Sequence, residues 1–94
     1  MPQTASATAD TENANRYLQQ LCKHWSHKAQ AKFSPEAGEI AFESGNTLSM
    51  VAHTNHLELQ VHVPDEADLK RFQEVVDAHL KRFAFREDLQ IIWS

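Results

Sequence analysis

A single cysteine, Cys22, excludes an internal disulfide framework. Two glycines, Gly38 and Gly45, are too few for a glycine-rich loop that cradles phosphate. There is no unbroken apolar run of about 18 residues, and no basic segment followed by an apolar one at the N-terminus, so neither a membrane span nor a secretory signal is expected. Positive charge is also scarce. Nine Lys and Arg stand against 13 Asp and Glu, giving a formal charge of −4 with six histidines counted neutral. That balance lacks the basic footprint of a dedicated nucleic-acid binder. No serine or cysteine sits in a recognisable nucleophile-and-base motif. These absences exclude the usual enzyme signatures and leave nucleic acid and membrane as unexpected partners. They point to a reducing, cytoplasmic setting.

What is present is one core's worth of apolar residues: 41% of 94 positions are hydrophobic, enough for a single small domain of modest stability. Residues 1–10 are small and polar, with Gln3, Thr4, Ser6 and Thr8 among alanines. They predict a flexible N-terminal tail ahead of one domain over 11–94. From Thr11, the residues Ala14, Tyr17, Leu18, Leu21, Cys22 and Trp25 recur at helical spacing and predict a first helix. Asp10 or Thr11 is available to cap it, and Lys23 and Lys28 suit its C-terminal end.

The period then becomes two, at Ala29, Ala31, Phe33 and again at Ile40, Phe42, with a turn through Ser34, Pro35 and Gly38. Ser44, Gly45 and Asn46 make the next turn. Leu48, Met50, Ala52 and then Leu57, Leu59, Val61, Val63 alternate with polar residues as two further strands. Placing Thr54 and Asn55 at the centre of a hairpin pairs Ala52 with Leu57, Met50 with Leu59 and Leu48 with Val61; a slip by one residue would put charges into the core. Pro64 and Asp65 end the strand and start a second helix to about Phe83, with Leu69, Phe72, Val75, Val76, Leu80 and Phe83 on its apolar face. Leu89, Ile91 and Trp93 form a closing strand. The order of helix, four-strand antiparallel meander, helix and strand predicts an α+β two-layer sandwich with both helices on one sheet face. Val51 and Ile92 are the apolar residues expected on the other face, too few for more than a monomer or a weak homodimer.

Six histidines raise the question of metal or proton chemistry. Cys22 points away from His24 on a helix and reads as a small buried hydrophobe. His24 and His27, three residues apart, share a helix flank, where they either hold a ligand or complement the helix dipole. His79 falls inside the apolar stripe of the second helix, so its imidazole needs a hydrogen-bond partner or serves a pocket. His53 and His56 face each other across the hairpin turn with His62 further along; two imidazoles without a third ligand make a poor metal site. Phe83 and Phe85 are expected to anchor the corner after the second helix, where Arg86 and Glu87 either pair or hold a carboxylate.

Two long segments also carry a resemblance. Tyr17-Leu18-Gln19-Gln20-Leu21-Cys22-Lys23-His24-Trp25-Ser26-His27-Lys28, followed by His79-Leu80-Lys81-Arg82-Phe83-Ala84-Phe85-Arg86-Glu87 and Trp93, resembles the bacterial family called domain of unknown function 2218. Trp25 stands where the family has another aromatic, and Asp88 where it has Glu. His53, His56 and His62 lie outside the family pattern. The resemblance implies a connection with iron or siderophore handling, through siderophore-interacting flavin reductases found beside some members, and assigns no role to any residue.

Two functional readings follow. In the first, a non-enzymatic ligand- or protein-binding module holds an anionic ligand or partner. Its site residues are drawn from His24, His27, Lys28, His79, Arg82, Arg86 and Glu87, in segments where Lys and Arg outnumber the acids. In the second, His24, His27 and His79 ligate a metal, with Glu87 as fourth ligand or general base. No cofactor is assigned by the sequence.

Overall fold

A computed structural model describes residues 2–93 of the chain. Its first element is a strand, Gln3–Asp10 (β1), followed by helix Ala14–Trp25 (α1) and the strands Ala29–Phe33 (β2), Ala37–Phe42 (β3), Thr47–Ala52 (β4) and His56–Val63 (β5). A short 3-10 turn, Glu66–Asp68, leads into helix Leu69–Phe83 (α2), and Ile91–Trp93 (β6) closes the chain. The six strands form one sheet in the order β2-β3-β4-β5-β1-β6, and every neighbouring pair is antiparallel. The expected α+β architecture and the β2–β5 meander are present. The β4–β5 register pairs Ala52 with Leu57, Met50 with Leu59 and Leu48 with Val61, as the hairpin centred on Thr54 and Asn55 requires.

Residues 3–10 depart from the expected flexible tail. They form β1, inserted between β5 and β6, with Gln3 opposite Val63 and Asp10 opposite His56. Ala5, Ala7 and Ala9 are buried while Thr4, Thr8 and Asp10 face out. The alternation is the period-two pattern of a strand, written in residues too small to register as hydrophobic. Alanine suits the position because β1 passes beneath α2, and a methyl group lets helix and sheet approach closely. Met1, the first residue of the expected tail, and Ser94 lie outside the described residues.

The core lies between the sheet and the helices. Leu18, Leu21 and Cys22 of α1, Phe72, Val76 and Leu80 of α2, and Ile40, Leu48, Met50, Leu57, Leu59, Val61 and Val63 of the sheet are buried together. Burying each Leu, Ile, Val or Met of that set contributes roughly 1.5 to 3 kcal/mol. Val75, expected on the apolar face of α2, is instead exposed, because the helix presents Val76 and Phe72 inward. Asp65 accepts the Ala67 N–H and so starts the 3-10 turn, as expected of a capping aspartate. Trp93 Nε1–H donates to Asp77 Oδ1 at 2.9 Å, tying β6 to α2.

Gly38 is needed for packing. A Cβ there would meet Cys22 Sγ at 2.9 Å and Leu18 Cδ2 at 3.1 Å. Gly38→Ala is therefore expected to destabilise the protein by about 1 to 3 kcal/mol through overpacking. Adding Cys22→Ala should recover much of that loss, because it removes the obstructing sulfur. Denaturant unfolding of the single and double variants checks this; a loss at Gly38→Ala unaffected by Cys22→Ala would contradict it. Burial also pushes the Cys22 thiol up to about 11, so the group is an inert filler rather than a nucleophile or ligand.

Candidate functional site

The two segments singled out in the sequence, the end of α1 and the end of α2, meet side by side. The His24 and His79 ring centroids are 5.0 Å apart, Trp25 and His79 are 4.7 Å apart, and the Phe83 ring meets His24 edge-on at 5.8 Å. His79 is half-buried, and its Nδ1–H donates to the Val75 carbonyl at 2.7 Å. The backbone carbonyl thus satisfies the imidazole embedded in the apolar stripe and leaves Nε2 as its second ring nitrogen. Partial desolvation and the neighbouring His79, Lys28, Arg82 and His27 hold His24 below the usual imidazole range.

His27 does not share a helix flank with His24. The helix ends at Trp25, and His27 and Lys28 lie in the turn that follows, with Lys28 N–H bonded to the Trp25 carbonyl at 3.0 Å. Among the described residues, the ligating atoms of His24, His27 and His79 do not gather within 4.8 Å of one another. Among the described residues, the side chains that gather three metal-ligating atoms within 4.8 Å of one another are His53, His56 and Glu58.

Glu87 is equally far from the role of fourth ligand. Its Oε2 accepts from Thr11 Oγ1 at 3.1 Å, from Asn13 Nδ2 at 3.0 Å and from the Tyr17 hydroxyl. Chiefly the Tyr17 and Asn13 hydrogen bonds hold its carboxyl below the usual carboxylate range. Glu87 is a clasp between the corner after α2 and the start of α1, and it forms no ion pair with Arg86 among the described residues. Ala84 is buried and carries the corner into the core, its N–H bonded to the Leu80 carbonyl. Phe85 is 76% exposed rather than an anchor, and the Arg86 guanidinium sits 5.3 Å from its ring centroid.

Beside the clasp runs a groove of about 380 Å³ whose lining includes Arg16, Tyr17, Phe83, Phe85, Arg86 and Glu87. Phe83 belongs both to this groove and to the His24 cluster, so the two share that ring. Arg16 was not among the residues singled out in the sequence. Its helical spacing from Gln20, four residues on, is the signal that places both on one flank of α1. None of Arg16, Lys28, Arg82 and Arg86 forms an ion pair among the described residues. The surface is a cationic and aromatic patch on a six-stranded sheet-and-two-helix domain.

A domain of this class has known relatives. The family model of an uncharacterized protein conserved in bacteria (DUF2218) matches residues 6–94, and the chain belongs to that family. The fold is similar to that of PA4090 from Pseudomonas aeruginosa, solved by NMR, with a TM-score of 0.79 and 38% identity over 97% of this chain and 94% of that one. A comparison with curated proteins finds no match. No helix among the described residues is long and apolar enough to cross a membrane.

Proposed function

We propose that the chain is a cytoplasmic, non-enzymatic binding module that holds an anionic, carboxylate-rich ligand on the patch formed by the ends of α1 and α2. The observation that carries this reading is a cluster of basic groups that no carboxylate partners, since Glu87 in the adjoining groove is engaged by Thr11, Asn13 and Tyr17. After desolvation, the neighbouring His79, Lys28, Arg82 and His27 disfavour the protonated form of His24, and Lys28 and Arg82 have no carboxylate partner among the described residues. An anion bound there relieves the repulsion and gains charge-assisted hydrogen bonds. Arg16 and Arg86 extend the patch, with Phe83 and Phe85 as apolar contacts. Ferric siderophores of the carboxylate class are ligands of this chemistry, which is where iron handling meets the patch.

Citrate serves as the probe. Titrating it into the labelled protein near pH 6 is expected to give saturable NMR shifts at His24, Lys28, His79 and Arg82. Lys28→Ala with Arg82→Ala, both at exposed positions, should weaken citrate about tenfold, the effect of losing about 1.4 kcal/mol of interaction. High salt should weaken it further. Absence of saturable shifts, or the same affinity in the double variant, would overturn the proposal.

A further inference from the structure

The tip of the β4–β5 hairpin carries a group of side chains unrelated to the cationic patch. His53 and His56 flank the two-residue turn, and their rings stack with centroids 4.2 Å apart and an interplanar angle of 12°. Glu58 lies two residues beyond His56 on β5, so the pleat puts both on the sheet face away from the helices. Its Oε1 is 3.5 Å from His53 Nε2. The three side chains offer two imidazole nitrogens and a carboxylate oxygen within 4.8 Å of one another. Two imidazoles alone would be a poor site; Glu58 supplies the third ligand.

From this geometry we propose that His53, His56 and Glu58 bind a divalent transition-metal ion of the zinc class. Ligands about 2.0 to 2.2 Å from a tetrahedral zinc ion lie about 3.3 Å apart. The stacked, nearly parallel rings do not both aim a lone pair at one point, so binding requires the exposed His53 ring to turn out of the stack toward His56 and Glu58. Backbone hydrogen bonds hold the turn beneath them. His53 N–H donates to the His56 carbonyl at 2.9 Å, and Thr11 N–H donates to the Asn55 carbonyl at 3.1 Å, pinning the tip to the β1–α1 junction.

Support also comes from behind the ligands. His56 Nδ1–H donates to Asn55 Oδ1 at 2.7 Å, which leaves Nε2 free for the metal. An outer partner of this kind sets the tautomer and aims the ring. Asp10 stands directly across from His56 on β1. Glu12 and Glu36 line the adjoining hollow of about 660 Å³ together with His53. These carboxylates surround the hairpin tip with negative charge that favours a cation. The imidazole donors select zinc, copper or nickel over magnesium or calcium, which prefer all-oxygen shells. Three protein ligands leave one position open to water or to a donor from another molecule.

Calorimetric titration of zinc into protein without a histidine tag tests the proposal. One ion per chain is expected. Combining His53→Ala with His56→Ala should abolish binding, and Asn55→Ala should weaken it by about tenfold or more, as loss of an outer partner does. Circular dichroism checks that these surface variants remain folded. His24→Ala with His79→Ala should bind zinc like the wild type. No stoichiometric binding, binding retained without His53 and His56, or binding lost with His24 and His79 would each overturn the assignment.

Discussion

A chain lacking residues 1–9 is expected not to fold. β1 is hydrogen-bonded on both sides, to β5 over Gln3–Asp10 and to β6 at Ala7, Thr8 and Ala9. Its removal strips β5 of a neighbour, leaves β6 without a partner strand and uncovers the part of the core that Ala5, Ala7 and Ala9 close. A small domain has only about 5 to 15 kcal/mol of net stability to lose. A milder version of the same test is Ala7→Asp, which puts an unpaired carboxylate at a position 3% exposed. That substitution should cost several kcal/mol, of the order of 3 to 5. Circular dichroism and thermal unfolding give the readout. If residues 1–10 were a loose tail, both changes would leave stability within about 0.5 kcal/mol of the wild type, as surface changes do.

Glu87→Ala carries the second large effect. The carboxylate accepts three side-chain hydrogen bonds, two of them from residues ahead of α1 and one from the buried Tyr17. Bonds to a charged acceptor contribute about 1.5 to 3 kcal/mol each when dry, and an unsatisfied buried hydroxyl costs about 1 to 3 kcal/mol. Glu87 is only half-buried, so solvent screening reduces the sum. We expect about 2 to 4 kcal/mol, or roughly 10 to 20 °C in Tm for a domain of this size. Glu87→Gln, which keeps an acceptor oxygen, should lose less. Because the folded protein holds the Glu87 carboxyl below its ordinary value of 4.5, its contribution is complete above about pH 4.5 and fades as pH falls through the lower folded value. The gap between wild type and Glu87→Ala should therefore narrow in acid. A gap of the same size at pH 7 and pH 3 would contradict the clasp.

The helices and the meander were legible because their signals are local. Leu48 to Ala52 and Leu57 to Val63 alternate on either side of the turn, and one register alone keeps Glu58 out of the core, so sequence pattern and sheet agree. β1 was not legible, since Ala5, Ala7 and Ala9 carry the right period with too little apolar surface to stand out from a polar tail. α1 ends at Trp25, short of the Lys28 end that the pattern predicts, and this takes His27 off the flank of His24. The role of Glu87 depends on Thr11, Asn13 and Tyr17, all at least 70 positions away in the chain, and no local pattern encodes that contact. At the hairpin tip, by contrast, the pairing of Val51 with Glu58 already placed Glu58 diagonally across from His53. That register alone brings the Glu58 carboxylate within reach of both histidines.

Basic groups without carboxylate partners surround His24. The most direct test of anion binding there is the pH titration of the His24 ring by NMR, with and without citrate. Without ligand, His24 should titrate below the usual imidazole value of 6.5, held down by partial desolvation and by His79, Lys28, Arg82 and His27. Stability should then decline as pH drops below about 6.5 toward the folded value, because the unfolded chain takes up that proton first. Bound citrate should raise the His24 value, since an anion that favours the protonated ring must bind more tightly to it. A His24 that titrates at or above 6.5 in the free protein, or that does not move when citrate is added, would contradict anion binding at this patch.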